Sequence, residues 1–526
     1  MIPAPPPDPA LPALTDALDG AVMAKVLNAA WADAGRTDQS VRYARPCYIR
    51  YKPGTSCLVA YELQVTSGSS RAATTQWAHA ALLTDGRAAA AAVRPSSGRL
   101  AARAARWHPE PPQPRMLLAS EPRALVQIYP VDRALRPLVR AASPRAARRV
   151  LGPWLGLGAE QCTVELLRYK PGRKALLRYG WPEAPADLPA VYAKLHADER
   201  GAALVHRARA LIAAGVPTAA PLGYLAAWRL FVQTAVEGTP LVTLRGRPDF
   251  AAAMEPVAEL LARLHRSGIV GAYGLLSNAA DDAASVVAAG SLLAAVGPSP
   301  GRRARRLAAE VGARLEELGG PRGPIHGDFY DDQVILSGAG PVLVDLDELR
   351  AGHALRDVGN FLAHLAVHGA LSGQSAGEAR ERWVSGYARH GRVEERQLAL
   401  QEAAGLMRLA VGPFRRLEPE WPAKIEQIVD LAAEALERSR ALAAPVGRRP
   451  SRPEDAALPQ LDSLTDAAEM NRLLSEAVFE APVRITDLAV VRHKPGRRAV
   501  VRYDLVIGSP GTGRPGRGYG KTFSIT

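Results

Sequence analysis

One string occurs three times in this chain, and it constrains the fold more than any other feature. The copies are YIRYKPGTSCLVAYEL from Tyr48 to Leu63, LLRYKPGRKALLRYGW from Leu166 to Trp181 and VVRHKPGRRAVVRYDL from Val490 to Leu505. Each sets two runs of β-branched and aliphatic residues around Lys-Pro-Gly. Proline presets φ at the second place of a type II turn and glycine supplies the positive φ at the third, so each copy predicts a β-hairpin. Repetition of the hairpin makes it one supersecondary unit used three times. Two similar strings, Leu135 to Leu151 and Leu458 to Leu474, each predict a capped amphipathic helix ahead of a hairpin.

The three copies continue differently. After the middle one, Ala190-Val191-Tyr192-Ala193-Lys194 predicts a third strand delivering a lysine, and a helix follows from about Gly201 to Ala214. Gly223-Tyr224-Leu225 and Arg229 to Gln233 predict a second hairpin. The first copy has a strand-like QWAHAALL and a closing strand from Ala124 to Tyr129, with His79 where Lys194 and Lys521 stand in the others. The third copy stops at Gly520-Lys521-Thr522. Lysine is scarce, 8 against 58 arginines, yet Lys52, Lys170 and Lys494 sit in K-P-G, and Lys194 and Lys521 follow a small residue. A compact point charge suits phosphate contact at such places.

A second stretch carries the chemistry, PIHGDFYDDQVILSGAGPVLVDLDELRAGHALRDVGNFLAHL from Pro324 to Leu365. His326-Gly327-Asp328 precedes the amide Gln333 by a fixed offset. The apolar run Val334-Ile335-Leu336 turns at Gly338-Ala339-Gly340 into Val342-Leu343-Val344, which ends on Asp345 and Asp347. Two short strands joined by a tight turn bring Asp328, Gln333 and Asp345 to one edge. There one carboxylate orients or deprotonates an attacking hydroxyl, while an amide oxygen and a second carboxylate hold Mg²⁺ against phosphates.

This stretch resembles the aminoglycoside phosphotransferase and choline kinase family, whose catalytic loop reads H-G-D-x-x-x-x-N and whose metal aspartate lies in I-D-[FW]. The resemblance implies an α+β, protein-kinase-like bilobal fold with a β-rich N-lobe and a helical C-lobe, flanked here by degenerate or partial N-lobe-like repeats. It implies ATP and Mg²⁺ as cofactors and a small-molecule hydroxyl acceptor that is aminoglycoside-, sugar- or choline-like. Asp328 then falls on the catalytic aspartate, Asp345 on the metal aspartate with Asp347 as a second candidate, and Asp357 on the aspartate bracing the catalytic loop. Lys194 and the turn Lys170-Gly172-Arg173 would hold the nucleotide phosphates. Gln233 and Ala235 lie in the expected interlobe hinge, whose backbone meets adenine. Gln333 departs from the usual asparagine, and His353 stands where an aspartate is frequent. The helix after Lys194 lacks the usual glutamate, leaving Glu199 as the candidate partner. The rival reading is a pseudokinase, a nucleotide-binding or scaffolding protein without turnover. The implied division is 1–140 as a degenerate N-lobe-like module, 141–238 as the N-lobe, 239–445 as the C-lobe and 446–526 as a linker with a partial repeat.

In the C-lobe the apolar period switches to 3.6, with Val257, Leu260, Leu261 and Leu264 on one helix face and His265 as a core or capping histidine. Residues from Gly271 to Pro300 read as an insertion or mobile helix. Helices follow over Arg302–Leu318, Asn360–Ala370, Glu378–His390, Val393–Ala410 and Pro422–Leu442, with PFRRLEPEWP as a turn.

Composition narrows the class. Apolar content of 48% predicts a globular protein, and no stretch reads as a membrane span. The proline-broken N-terminus lacks a basic secretory n-region, and Cys47, Cys57 and Cys162 lack metal spacing, so a reducing cytoplasm is expected. Net charge is +14, yet residues 239–445 hold 23 Lys and Arg against 26 Asp and Glu, so no specific nucleic-acid partner is expected. A slightly acidic lobe permits a cationic or a neutral acceptor. Oligomeric state is left open.

Overall fold

A computed structural model of the chain describes residues 3, 5–68, 73–84, 95–119, 124–157, 161–182, 190–269, 279–318, 322–442, 455, 457–479, 481–494, 497–508 and 514–523. These form two compact units, Met1–Arg440 and Ala441–Thr526.

The first unit contains two five-stranded antiparallel sheets of one design. The N-terminal sheet has β1 (Gln39–Lys52), β2 (Ser56–Ser67), β3 (Thr74–Leu83), β4 (Met116–Ala119) and β5 (Ala124–Ile128), in the order β1-β2-β3-β5-β4. The central sheet repeats that order with β6 (Thr163–Lys170), β7 (Lys174–Gly180), β8 (Ala190–His196), β9 (Pro221–Leu225) and β10 (Leu230–Thr234), as β6-β7-β8-β10-β9. At the turns, Gly54 and Gly172 have φ of 67° and 69°, as the Lys-Pro-Gly reading requires.

The register corrects one expectation. Six residues beyond each turn lysine, Leu58 pairs with Ala81 while Leu176 pairs with Lys194. Ala81 therefore stands in the place of Lys194, and His79, opposite Ala60, stands in that of Tyr192, opposite Arg178. A slip of two residues keeps the same sheet face, which is why Ala-His resembled Ala-Lys in the string. Buried His79 instead meets the Gln127 side chain at 2.9 Å and the Tyr169 hydroxyl at 3.3 Å.

A shared locking device explains why the unit repeats. Asp8 and Asp132, both nearly inaccessible, cap the chain before the first short helix. The Asp8 carboxylate accepts from Ala10 N–H, the Tyr51 hydroxyl and Gly54 N–H at 2.9, 2.7 and 2.8 Å. Asp132 accepts from Ala134 N–H, the Tyr169 hydroxyl and Gly172 N–H at 2.9, 2.9 and 2.7 Å. One side chain thus fastens helix, strand and turn together. A tyrosine at the centre of each sheet then donates to a carbonyl of the short helix: Tyr61 to Ala17, Tyr179 to Ala141 and Tyr503 to Leu464, at 2.5, 2.8 and 2.7 Å.

Below the central sheet lies a mainly helical lobe. Its short strands are β11 (Thr239–Pro240), β12 (Gly323–Ile325), β13 (Val334–Ser337), β14 (Gly340–Leu343) and β15 (Arg350–Gly352), forming the sheets β11-β13-β14 and β12-β15. Major helices are Met254–Arg266, Leu355–Ser372, Gly377–Ala388, Glu395–Leu409 and Trp421–Ala441. The Ala- and Gly-rich interval is a helical hairpin, Ala279–Val296 against Pro298–Glu316. Small residues permit its close approach: a Cβ on Gly290 would lie 2.4 Å from the Ala308 Cβ. Residues 270–278 of the expected insertion lie outside the described set. The expected turn after Ala410 contains a short helix, Gly412–Arg415, started by Pro413 in its first turn. The N-terminal sheet shares its core with this lobe, since Leu27, Trp31 and Tyr61 belong to one buried cluster with Leu293, Val311, Leu406, Phe414 and Ile428.

The second unit is a three-stranded antiparallel sheet, β16 (Val483–Lys494), β17 (Arg498–Ile507) and β18 (Arg514–Phe523), with helices Gln460–Leu464 and Ala467–Ala477. Val500 pairs with Lys521, so this lysine does occupy the register place of Lys194. Pro495 and Gly496 of its turn lie outside the described residues. No helix among the described residues is long and apolar enough to cross a membrane.

Candidate active site

The loop after β12 is held from behind by a buried carboxylate. Asp357, in the first turn of Leu355–Ser372, accepts from the N–H groups of His326 and Gly327 at 2.6 and 2.9 Å. His265 meets the same carboxylate at 3.2 Å and the Tyr387 hydroxyl at 2.7 Å, so this histidine braces the loop from a second helix. Burial alone would raise the Asp357 pKa, but the His265 contact, His326 and Arg356 together hold it below the ordinary carboxylate value. Asn360 Nδ2 donates to the Phe329 carbonyl and Arg356 Nη1 to the Gly327 carbonyl, at 3.0 and 2.5 Å. Gly327 has φ of 85°, and a Cβ there would lie 2.4 Å from the Glu348 carbonyl oxygen. Only glycine fits between His326 and Asp328.

Asp345 follows β14 and Val344 in the left-handed region, at φ 59° and ψ 63°. A non-glycine residue there is strained by about 1–3 kcal/mol, which the surrounding contacts must offset. The Val344 N–H donates to the Gln333 carbonyl and the Val344 carbonyl meets His326 Nε2, each at 3.0 Å. These contacts fix Asp345 beside the His326–Asp328 loop.

Opposite charges then meet between the lobes. Lys194 Nζ lies 2.5 Å from Asp345 Oδ1 and 3.2 Å from Asp347 Oδ1. Lys174 Nζ lies 2.5 Å from Asp347 Oδ2 and 3.4 Å from Asp345 Oδ2, and His196 Nε2 lies 3.4 Å from Asp347 Oδ2. Burial works against ionisation of both carboxylates. Lys194 and then Lys174 outweigh it at Asp345, and His196, Lys194 and Lys174 hold Asp347 well below the carboxylate range. Asp328 moves the other way. Burial raises it, and Asp345 adds to the rise against the opposing charge of His326.

The structure brings most expected residues together. One cavity of about 290 Å³ is lined by Lys170, Lys194, Gln233, Gln333 and Asp345, with Leu176, Val236 and Ile335 supplying apolar walls. A second, of about 580 Å³, is lined by Asp328, Lys170, Gly172, Arg173, Gln333, Asp345 and Asp347. Ala235 lines neither, whereas its neighbours Thr234 and Val236 line the first. Glu199 is corrected: it precedes the helix Arg200–Ala213 and accepts from the Tyr224 hydroxyl at 2.5 Å, while Lys194 is taken by Asp345 and Asp347. An acid at that helix start points toward the outer hairpin, away from the end of β8. His353, partly buried, accepts from Leu355 N–H at 3.3 Å.

Sequence reasoning missed Lys174, His196 and Asp132. Lysine scarcity was a usable signal for Lys174, which directly follows the turn.

Whether Mg²⁺ suits this site turns on its donors. Asp345, Asp347 and Gln333 offer hard oxygen atoms to one cavity, as Mg²⁺ prefers. The Lys174 and Lys194 ammonium groups now stand on these two carboxylates, so a bound cation would take their place there and free both lysines for phosphate oxygens. The residues fit the ion.

Residues 190–400 match the family model described as the phosphotransferase enzyme family. No curated protein matches the chain. Among solved structures, the chain is similar to a choline kinase from Cryptosporidium parvum, at 9% identity over 56% of this chain and 94% of that one, with a TM-score of 0.41. It is similar to a choline/ethanolamine kinase family protein from Mesorhizobium loti at 16% identity, covering 58% and 97%, with a TM-score of 0.39. An aminoglycoside phosphotransferase from Streptomyces rimosus matches at 22% identity, covering 47% and 91%, with a TM-score of 0.33.

Proposed function

We propose, from the match of residues 190–400 to the phosphotransferase enzyme family, that the chain transfers the γ-phosphate of ATP to a hydroxyl of a small molecule. The observation that carries this reading is the meeting of Asp328, Gln333, Asp345 and Asp347 with Lys170, Gly172 and Arg173 around one cavity. Asp328 orients the acceptor hydroxyl and takes its proton; its raised pKa suits a base that must accept one. Asp345, Asp347 and Gln333 would hold Mg²⁺, which when bound would supply positive charge to neutralise the phosphates. Lys194 and the Lys170–Arg173 turn hold phosphate oxygens, and Lys174 joins them. The apolar cavity beside Gln233 receives the base.

One observation favours the pseudokinase reading, namely that Lys194 is bound to Asp345 and Asp347 and no helix glutamate holds it. Asp328→Ala discriminates between the two. The expected outcome is that Mg-ATP turnover falls by about a thousandfold or more while nucleotide binding persists. Binding without turnover by the unaltered protein across a broad panel of hydroxyl compounds would favour the pseudokinase.

A further inference from the structure

The larger cavity has a second charged wall, on the helical lobe behind Asp328. Arg350 and Arg356 line it and share one carboxylate, Asp282 of the helix Ala279–Val296, at 3.0 and 2.8 Å. A third guanidinium, Arg408 on Glu395–Leu409, lies among the same charges. Its Nη1 and Nη2 are buried and have no hydrogen-bond partner. The groups acting on it are Arg356, Arg350, Asp282 and Asp328, and burial lowers its pKa to about 9. The Arg408 charge also acts on His364, which burial keeps neutral and which stacks on Tyr330 with ring centroids 4.0 Å apart. Tyr330 is itself a wall of the cavity.

Acids nearby do not balance this wall. Asp331 is ion-paired with Arg245 and Asp332 with Arg168, while Asp357 is taken by His265 and by the N–H groups of His326 and Gly327. Glu348, half-exposed, comes only to 3.9 Å from Arg350. Among the described residues, Asp328 apart, no buried carboxylate on this side is left for an ammonium group. Nor is the wall needed for the nucleotide, because the cations assigned to its phosphates stand across the cavity at Lys170, Arg173, Lys174 and Lys194. Two buried guanidinium nitrogens without a partner make the Arg408 charge costly, and an anion at the wall in front of it lowers that cost.

We propose that the acceptor carries an oxyanion, a carboxylate or a phosphate monoester, bound beside Asp328 by Arg350 and Arg356, which line the cavity, with the buried charge of Arg408 behind them. This rests on the phosphotransferase reading and makes the acceptor a hydroxy acid or a phosphorylated polyol, in place of an aminoglycoside- or choline-like cation.

The test uses the full chain with D-gluconate, D-glucose 6-phosphate, D-glucose and D-glucosamine as probes. Binding is measured by calorimetry with a non-hydrolysable ATP analogue and Mg²⁺, and turnover by ADP release. At least one anion is expected to bind ten or more times tighter than D-glucose, with D-glucosamine weakest, and the better anion identifies the source of the charge. Arg408→Met should cut the anion-to-glucose preference by about ten- to a hundredfold, as expected for the loss of a buried charge close behind the wall. Failure of both anions to bind, a preference for D-glucose or D-glucosamine, or an unchanged preference in Arg408→Met would overturn the proposal. If that variant does not fold, the ratio in the unaltered protein decides alone. Anion binding without ADP release would instead overturn the phosphotransferase reading and leave the oxyanion site standing.

Discussion

Asp132→Ala separates the hold on the phosphate turn from the chemistry itself. The Asp132 carboxylate is 1% exposed and accepts four hydrogen bonds, from Ala134, Leu135 and Gly172 N–H and from the Tyr169 hydroxyl. Hydrogen bonds to a charged group contribute about 1.5–3 kcal/mol each, but bonds sharing one acceptor are not additive. A loss of about 3–5 kcal/mol in stability is expected, read as a lower denaturant midpoint. The Gly172 bond bears on function. Without it the Lys170–Arg173 turn loses its anchor, and the ATP KM should rise by about ten- to a hundredfold, the equivalent of one such bond. Asp8→Ala is the matched control, because the same three-way lock there holds a turn that lines neither cavity. It should lose stability with the ATP KM unchanged. Equal ATP KM in Asp132→Ala and the unaltered protein, or an equal rise in Asp8→Ala, would refute the reasoning.

Further outcomes follow from the site and the fold. Gln333→Asn should keep substantial turnover and Gln333→Leu should lose about tenfold or more, as when support for a metal is removed; equal rates in steady-state assays would show that Gln333 only packs. Burial, ahead of the charges of Arg245, Arg416 and Arg408, holds the folded His364 pKa down to about 3. The unfolded value is about 6.5, so its stabilisation is complete above that pH and is lost as pH falls toward 3; about 2 kcal/mol should go between pH 7 and 5. Denaturant midpoints of His364→Gln should show a correspondingly shallower fall, and an identical fall would remove His364 as the cause. Truncation after Leu442 should leave a folded and active protein, with Lys521→Ala nearly silent and Lys194→Ala reducing turnover by about a hundredfold or more. Lost turnover in a truncated protein that still melts cooperatively would show that the last repeat completes the site.

What the sequence made legible was local. Lys-Pro-Gly between β-branched runs encodes its own hairpin, and three copies announced three sheets. His326-Gly327-Asp328 and the strand ending on Asp345 drew the catalytic edge because a tight turn joins them. Less legible were contacts closed over long separations. Asp132 and Gly172 are 40 residues apart, and nothing in either neighbourhood signals the other, although the recurring D-x-A-L-x-x-L at Asp8, Asp132 and Asp455 was there to be found. Lys174 was passed over because only the interlobe geometry sets it against Asp347. Glu199 failed as a partner because a helix start fixes direction as well as position. His79 was misaligned because loops between the second and third strands differ in length, which only hydrogen-bond register resolves.

The helical hairpin Ala279–Glu316 faces two ways. Asp282 and Ser285, near its beginning, reach the arginine wall and the larger cavity. Farther along, Leu293 and Val311 belong to the buried cluster that contains Trp31 and Tyr61 of the first repeat. Tyr51 of β1 meets Phe414 edge-on, and Phe414 meets Trp421, which ties that repeat to the same helical layer. Close-packed layers transmit displacement and do not absorb it. The first repeat, with Ala81 in the register place of Lys194, thus backs the helical layer that forms one wall of the larger cavity. The same repeat touches the Lys170–Arg173 turn, where Arg50 Nη1 donates to the Pro171 carbonyl at 3.4 Å and His79 meets the Tyr169 hydroxyl, so drift in its core reaches both sides of the larger cavity without passing through a residue that lines it.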